Sequence, residues 1–246
     1  FEDLADLPKA TERICRRHTF DLLVVTSGAE DFFTTLRLCG TPGEKIGRFL
    51  DKRETQHFFE DLKVPTPRLL NDGEYPAMVK PRRGAGGWRN AIVQDQNGLS
   101  AWEDLYPETP FIRQEIVEGI PASVCCVTDG SRARAIAVNE QFIRGKGGPA
   151  FGFCGSLTPL DHPLGQEMIS RAEQIAAASG CIGTIGIDFV LGSDTAYAIE
   201  VNPRFQGTVD TVEMAYGCNL FQCHVDACAG ILPPSSPIPR QVAVRS

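Results

Sequence analysis

The sequence lacks several features that would assign it to common classes of protein. No apolar stretch approaches the roughly 20 residues that a membrane-spanning helix needs, and no charged segment followed by an apolar one indicates a signal peptide. No run of basic residues is present, and acidic residues outnumber basic ones by 31 to 24, which gives a net charge of -7. We therefore expect no membrane span and no nucleic-acid partner.

Zinc-site spacing is also missing, although the chain has nine cysteines and four histidines. No CxxC pair occurs, and the cysteine count is odd, which favours a reducing cytoplasm and cysteines that serve as small buried hydrophobes. His224 and Cys228 are four residues apart and could share a helix face as metal ligands. No second ligand pair with zinc-site spacing accompanies them, so the sequence favours a structural role for both.

The length and composition set the scale of the fold. With 246 residues, of which 42% are hydrophobic, the chain can form one large core or two modest domains. It begins at Phe1 rather than methionine, and two interpretations stay open: a fragment of a longer protein, or a sequence from which disordered residues are omitted.

Local patterns predict a mixture of helices and strands. Asp51 and Glu54 have the spacing of a capping box before a helix that ends near residue 63, and a second helix over 165–179 is closed by Gly180. Asp210 is the predicted cap of a third helix. Strands are predicted over 21–28, 76–80, 91–94, 111–117, 123–128 and 133–138, with turns at Asn97–Gly98 and Asp129–Gly130, a glycine-rich loop over 145–155 and an extended tail over 233–239.

Asp188, Glu200 and Asn202 form the most informative pattern. Apolar and polar residues alternate on both sides of a turn at 192–195, which predicts two antiparallel strands. Asp188 and Glu200 can then be neighbours on one face, and Asn202 shares that face because it follows Glu200 by two. Their oxygens suit magnesium but are too few to enclose it, so phosphates and water would complete its shell. The alternative is an acidic strand pair with a solvated face.

A lysine and a glycine-rich loop form the second pattern. Lys80 ends a predicted strand, and Gly84, Gly86 and Gly87 follow, so that backbone amides could approach phosphates closely. The spacing fits neither a Walker loop nor a Rossmann fingerprint. A plain hairpin loop with basic flanks is the alternative.

A third pattern follows at Gln114-Glu115-Ile116-Val117-Glu118-Gly119. The exposed backbone of such a strand edge can read the rim of adenine, and an acid beside it can hold ribose hydroxyls. By itself it favours an ordinary strand end.

The order of these motifs resembles the ATP-grasp superfamily over about residues 45 to 232. The order runs from Asp51-Lys52 through Lys80, the glycine loop, Gln114 to Gly119, Asp188 and Glu200-x-Asn202-Pro-Arg204. More narrowly, Asn202-Pro-Arg-Phe-Gln-Gly-Thr208 and Gly217-x-Asn219-Leu-Phe221 resemble an archaeal branch of predicted ATP-dependent carboligases related to biotin carboxylase. Tyramine–glutamate ligases are more distant relatives.

The resemblance implies a role for each motif. Lys52 and Lys80 would hold ATP phosphates beneath a lid formed by Gly84 to Gly87. Magnesium, with manganese as an alternative, would bind Asp188, Glu200 and Asn202, while Arg204 would stabilise the phosphates or an acyl phosphate. The implied catalytic residues are Lys80, Asn202 and Arg204. The implied nucleotide-binding residues also include Gly84, Gly86, Gly87, Gln114, Glu115, Ile116, Val117 and Glu118.

The resemblance also implies the fold and the reaction. We expect an α+β ATP-grasp fold with a shortened Rossmann-like domain over 1–47, an N-terminal subdomain with the lid over 48–112, and a C-terminal subdomain with the metal site over 113–246. Two departures from the family pattern matter. The usual ribose-contacting acid is replaced around residues 121–123, which leaves Glu118 as a candidate, and only one strand of the first domain is evident.

The expected activity is ATP-dependent joining of a small-molecule carboxylate to an amine or thiol through an acyl phosphate, with release of ADP and phosphate. Alternatives are an ATP-grasp small-molecule kinase and a nucleotide-binding regulator without turnover. Arg144 and Lys146 are candidates for closing over the substrate carboxylate, with a solvated loop as the alternative. The sequence leaves open whether the protein forms a homodimer.

Overall fold

Two antiparallel β-sheets and seven helices make up the parts of the chain that a computed structural model describes, residues 6–26, 38–144 and 151–246. The helices are α1 (Leu7–Cys15), α2 (Gly43–Ile46), α3 (Lys52–Asp61), α4 (Gln96–Leu105), α5 (Gly165–Ser179), α6 (Val209–Tyr216) and α7 (Leu220–Cys228). The strands are β1 (Ala77–Pro81), β2 (Ala91–Val93), β3 (Phe111–Gln114), β4 (Ile120–Asp129), β5 (Ala133–Ile143), β6 (Phe153–Thr158), β7 (Ile182–Leu191), β8 (Ala196–Asn202) and β9 (Ala243–Arg245). No described helix is long and apolar enough to cross a membrane.

The smaller sheet has the order β2-β1-β3 and packs on α4. Burial alternates along β1, so that Ala77 and Val79 face a core that contains Trp102. Successive side chains of a strand point to opposite faces. Met78 and Lys80 therefore lie on the other face of this sheet, where the cleft described below begins.

The larger sheet has the order β8-β7-β4-β5-β6-β9, with all neighbours antiparallel. One face packs on α3 and α5, and the opposite face packs on α6 and α7. Because both faces are covered, β4 is almost continuously apolar. Its adjacent Cys126 and Cys125 enter the two different cores. Burial raises the pKa of Cys125 to about 12, so this thiol stays neutral and acts as a small hydrophobe.

Several predicted elements are confirmed. Helix α5 spans the predicted residues and ends at Gly180, whose φ of 69° is left-handed. Helix α3 begins after Asp51, whose carboxylate accepts a hydrogen bond from the Arg53 N–H, and ends two residues short of the expected end. The strands of both predicted hairpins pair as expected, β4 with β5 and β7 with β8.

The strand predicted over 21–28 is wrong for its described part. Residues 21–26 form no strand, and residues 27 and 28 lie outside the described part of the chain. Leu22 is 47% exposed. Its neighbour Leu23 pairs by one hydrogen bond, in which its carbonyl accepts from the Cys39 N–H. A buried parallel-type strand requires partners on both sides, and a hydrophobic run alone does not supply them.

Two short-range predictions also fail. Asn97 and Gly98 belong to α4 rather than to a turn, because Asp95 caps this helix by accepting from the Gly98 N–H. Asp210 lies inside the first turn of α6, and Thr208 occupies the position before the helix. Both patterns marked a true helix start. The start of α4 was interpreted as a turn, and the cap of α6 was placed two residues too late.

The predicted loop over 145–155 overlaps a strand. Residues 145–150 lie outside the described part, but β6 begins at Phe153. The extended tail over 233–239 forms no helix or strand, as expected, and it leads to β9, which pairs with β6. The sequence did not predict β9, since three residues are too short for a periodic signal.

Gly180→Ala should destabilise the fold by about 1–2 kcal/mol, because alanine adopts the left-handed conformation at that cost. Gly165→Ala, at the other end of α5, is the matched control, since a Cβ there meets nothing within 4 Å. Urea unfolding followed by circular dichroism measures both. Equal midpoints for the two variants would show that the helix end does not depend on this conformation.

Candidate active site

A cleft of about 690 Å³ lies between the two sheets. The small sheet contributes Met78 and Lys80, and the large sheet contributes residues of β5, β7 and β8. Eight residues of the predicted site line the cleft: Lys80, Gly86, Gly87, Val117, Asp188, Glu200, Asn202 and Arg204. The other six do not contribute to its lining: Lys52, Gly84, Gln114, Glu115, Ile116 and Glu118.

The predicted carboxylate pair is brought together by strand register. Asp188 on β7 lies directly opposite Glu200 on β8, next to a bulge in the pairing between Asp188 and Phe189. Asn202 donates from Nδ2 to Asp188 Oδ2 at 2.9 Å. Three side chains that each carry a hard oxygen atom therefore meet at one edge of the cleft. Such oxygens are ligands that suit Mg²⁺.

Two glutamines that the sequence did not single out hold the other oxygen of Asp188. Gln141 on β5 and Gln206 after β8 each donate from Nε2 to Asp188 Oδ1, at 3.1 Å. Gln206 lies flat against Gly186, where a Cβ would overlap its amide. Gln206 belongs to the Asn202–Thr208 motif, so a signal was present; Gln141 gave none because its contact depends on strand order.

The electrostatics of the cleft favour a cation near Asp188. Burial raises the pKa of Asp188 to about 7, and the negative charge of Glu200 adds to the increase. Burial also lowers the pKa of Lys80 to about 8, although Glu200 partly opposes that change. Two neighbouring carboxylates in a desolvated site are unfavourable without a compensating charge. A divalent cation would add to the positive charge of Lys52 and Arg204 there, so the residues present fit the predicted metal.

Lys52 joins the lid to the carboxylate pair. Its Nζ donates to the Gly84 carbonyl at 2.6 Å and lies 3.7 Å from Glu200 Oε1. Gly84, Gly86 and Gly87 have φ angles of 117°, 75° and 69°, which side chains other than glycine rarely allow. The predicted lid is therefore a glycine-dependent loop. Its far end is largely exposed, with Trp88 at 65%.

Arg204 is held beside the metal-site residues. Its guanidinium donates to Asn202 Oδ1 at 2.9 Å and to the Phe205 carbonyl at 3.0 Å. The arginine thus fixes the amide oxygen of Asn202 while its charge stays in the cleft.

The predicted adenine-contacting segment is only partly directed at the cleft. The Gln114 side chain is buried, with Nε2 donating to Gln56 Oε1 at 2.5 Å, and Glu115 accepts from the Arg68 N–H at 2.9 Å. Both side chains therefore serve the packing of the small sheet. Glu118 is exposed outside the cleft, while Val117 lines it. The apolar wall beside Val117 comprises Met78, Pro121, Val190 and Ile199.

His224 and Cys228 share one face of α7, as expected, and Cys39 joins them, with candidate ligand atoms within 4.8 Å of one another. Both imidazole nitrogens already have backbone partners: Nδ1 accepts from the Thr184 N–H at 2.9 Å, and Nε2 lies 2.8 Å from the Cys39 carbonyl. Burial lowers the pKa of His224, which keeps the ring neutral. His224 therefore ties residues 39–40 and β7 to α7.

The comparisons with known proteins identify the family. The model of the ATP-grasp domain family matches residues 49–208, about two thirds of the chain, so this chain belongs to the ATP-grasp family. The large chain of carbamoyl phosphate synthase from Micrococcus luteus is 31% identical over 186 residues. That match covers 72% of this chain and 16% of the relative.

Solved structures share the fold. Biotin carboxylase from Campylobacter jejuni, in complex with β-γ-ATP, superposes with a TM-score of 0.80 at 15% identity and covers 98% of this chain and 61% of its own. The L-amino acid ligase of Bacillus licheniformis gives 0.75 at 20% identity, over 92% and 61% of the two chains. The biotin carboxylase domain of 2-oxoglutarate carboxylase from Hydrogenobacter thermophilus, solved with MgADP, gives 0.72 at 16% identity, over 99% and 56%.

These findings confirm the resemblance and the α+β ATP-grasp fold. ATP-grasp enzymes use ATP and Mg²⁺, so the two cofactor expectations are confirmed for the family. The chain spans about three fifths or less of the lengths of these relatives.

Metal-free ATP should bind less tightly as the pH rises above about 8, because phosphate favours the charged form of Lys80 and burial lowers its pKa to about 8. Below pH 8 the Lys80 side chain is mostly protonated before ATP binds, so binding takes up little or no proton. At pH 9 binding must take up a proton, which weakens it by about tenfold. Calorimetry in EDTA at pH 7.5 and 9 measures the difference, with Lys80→Arg as the control that stays charged. A pH-independent affinity in the unmodified protein would remove Lys80 from the phosphate site.

Proposed function

We propose that this chain catalyses ATP-dependent joining of a small-molecule carboxylate to an amine or thiol, through an acyl phosphate, with release of ADP and phosphate. The supporting observation is the register of Asp188 with Glu200, completed by Asn202, at a cleft that also contains Lys80. Binding of a nucleotide alone does not require two carboxylates and an amide oxygen at one point. Phosphoryl transfer does, because metal ions must neutralise charge on the phosphates.

Nucleotide binding is assigned to the β7–β8 side of the cleft. The apolar wall of Met78, Val117, Pro121, Val190 and Ile199 suits a purine ring. Lys80 and Lys52 provide cations for the phosphates, with Lys52 exchanging its Gly84 and Glu200 partners for phosphate oxygens. Gly84 to Gly87 would then close over the nucleotide, with Val117 against adenine and the backbone from Glu115 to Glu118 at its rim. Asp188, Glu200 and Asn202 would hold Mg²⁺, or Mn²⁺, which neutralises phosphate charge when bound.

The reaction then needs positioning more than acid–base chemistry. A carboxylate oxygen of the substrate attacks the γ-phosphorus, the bond to the β-phosphate oxygen breaks, and ADP leaves. An amine nitrogen or thiol sulfur next attacks the acyl carbon, phosphate leaves, and the nucleophile loses a proton. Arg204 lies where it can stabilise the phosphoryl oxygens, since its guanidinium already contacts Asn202. Gln141 and Gln206 orient Asp188 for metal binding.

The relatives support this class of reaction, but they do not identify the substrates of this chain. Carbamoyl phosphate synthase, biotin carboxylase and L-amino acid ligase are named as enzymes of synthesis, carboxylation or ligation. We also propose that the chain divides into three parts, with boundaries at residues 47 and 112, and that the protein is cytoplasmic. A homodimer is also proposed, because the related biotin carboxylase domain of Hydrogenobacter thermophilus is a dimer. Light scattering of the purified chain tests that state.

Glu200→Gln should abolish ADP formation, because the amide removes a negative metal ligand while keeping the shape of the side chain. The matched control is Asp194→Asn, which removes one negative charge from the exposed turn of the same hairpin. ADP release is measured with pools of carboxylates and amines, and products by mass spectrometry. Wild-type turnover in Glu200→Gln would refute the metal assignment, and a phosphorylated product without amine dependence would indicate a kinase.

Residues 82–89 should become protected from hydrogen exchange when ATP and Mg²⁺ bind. Their glycines leave the backbone little restrained, and an acyl phosphate needs exclusion of water. Helix α5 serves as the internal control, since it lies in the core away from the cleft. Equal exchange of residues 82–89 with and without nucleotide would mean that the loop is a hairpin turn with no lid role.

A further inference from the structure

The cleft has a second end that the nucleotide assignment does not use. It lies on the β5–β6 side of the large sheet, and Ile143 and Phe153 face one another there in the register of those strands. Gln141 on β5 contacts Asp188, so this end adjoins the proposed metal site. We call it the β5–β6 end; it comprises Ile143, Arg144, Phe151, Phe153 and the lid residue Trp88.

The walls of the β5–β6 end are aromatic and partly exposed. Trp88 is 65% exposed and Phe153 is 37% exposed. The Phe153 ring packs over the loop that follows β8, since a Cβ at Gly207 would lie 3.0 Å from its Cε1. The lid approaches the same wall, because Gly87 packs directly on the backbone of Phe151. Large apolar side chains that line a concave polar site indicate an apolar part of a ligand.

Arg144, and the loop after β8 that contacts Phe153 at Gly207, supply charge and polar atoms near this end. Arg144 lies on the rim, and its guanidinium has no carboxylate partner among residues 6–26, 38–144 and 151–246. Gln206 Oε1 and Thr208 Oγ1 are buried, and within the same ranges neither has a hydrogen-bond partner. Donation of Gln206 Nε2 to Asp188 fixes which atom of the amide remains available. Unsatisfied buried polar groups are rare in native proteins and suggest a site for a ligand or water.

We propose that the β5–β6 end binds the carboxylate substrate, and that this substrate carries an aromatic or similarly large apolar group. The apolar group packs among Trp88, Phe151 and Phe153. Arg144 attracts the substrate carboxylate to this end of the cleft, which adjoins the proposed metal site. This inference rests on the proposed ligase function, because it places the substrate next to the nucleotide phosphates. It adds a substrate class that the family match does not provide.

Binding of three probes to the chain saturated with MgADP tests the proposal: 3-phenylpropionate, propionate and 3-phenylpropan-1-ol. Emission of Trp88 reports binding, and Trp88→Phe identifies its share, because the other tryptophan, Trp102, is buried. We expect 3-phenylpropionate to bind at least about tenfold more tightly than propionate, from burial of the ring, and than the alcohol, from the charge.

Variants separate the two contributions. Phe153→Ala should bring the affinity for 3-phenylpropionate close to that for propionate, and Arg144→Gln should bring it close to that for the alcohol. Ile238→Ala is the control, since it truncates an apolar residue that is 83% exposed in the tail. If Phe153→Ala no longer binds MgADP, Phe153→Leu replaces it; because it removes the ring and shortens the apolar wall, it should weaken 3-phenylpropionate but not propionate.

The outcomes distinguish this inference from the proposed function. Equal binding of 3-phenylpropionate and propionate, or no response to either variant, would overturn the substrate class while MgADP binding leaves the ligase proposal standing. Failure of the unmodified chain to bind MgADP would overturn both.

Discussion

The pairing of two carboxylates across the β7–β8 hairpin is the constraint on which the rest of the site depends. Asp188 and Glu200 are in register, so neither can move away from the other without breaking the hairpin. Burial raises the pKa of Asp188 to about 7, and the charge of Glu200 adds to the increase. These charges favour a bound cation. Gln141, Gln206 and Asn202 all donate to the Asp188 carboxylate and so fix its orientation.

Both sheets converge on that carboxylate pair. Alternation along β1 buries Val79 and turns Lys80 towards the cleft, where burial lowers its pKa to about 8. Helix α3 places Lys52 between the lid and Glu200. One cation therefore comes from the small sheet and one from α3, and both charges are available to phosphates. The positions of Lys52 and Lys80 suit a site that exchanges internal ion pairs for a charged ligand.

Local patterns in the sequence predicted the hairpin, α5 and the position of Lys80 at a strand end before the glycine loop, because each depends on residues close together in the chain. Contacts between distant residues could not be predicted in this way. Gln141 reaches Asp188 only because β4 separates β5 from β7 in the sheet. The contact of Cys39 with His224 joins residues 185 positions apart and likewise depends on the tertiary fold. The side chains of Gln114 and Glu115 bond to Gln56 and to the Arg68 backbone, which the sequence did not indicate, and the contact of their backbone with adenine stays a prediction.

The most direct test of the account is the location of a bound metal. Mn²⁺ can be bound together with a non-hydrolysable ATP analogue, and its anomalous diffraction marks its position in a crystal. The account predicts an anomalous peak within coordination distance, about 2.0–2.4 Å, of oxygens from Asp188, Glu200 and Asn202 and of the phosphates. A bound nucleotide whose metal lies away from Asp188 and Glu200 would contradict it.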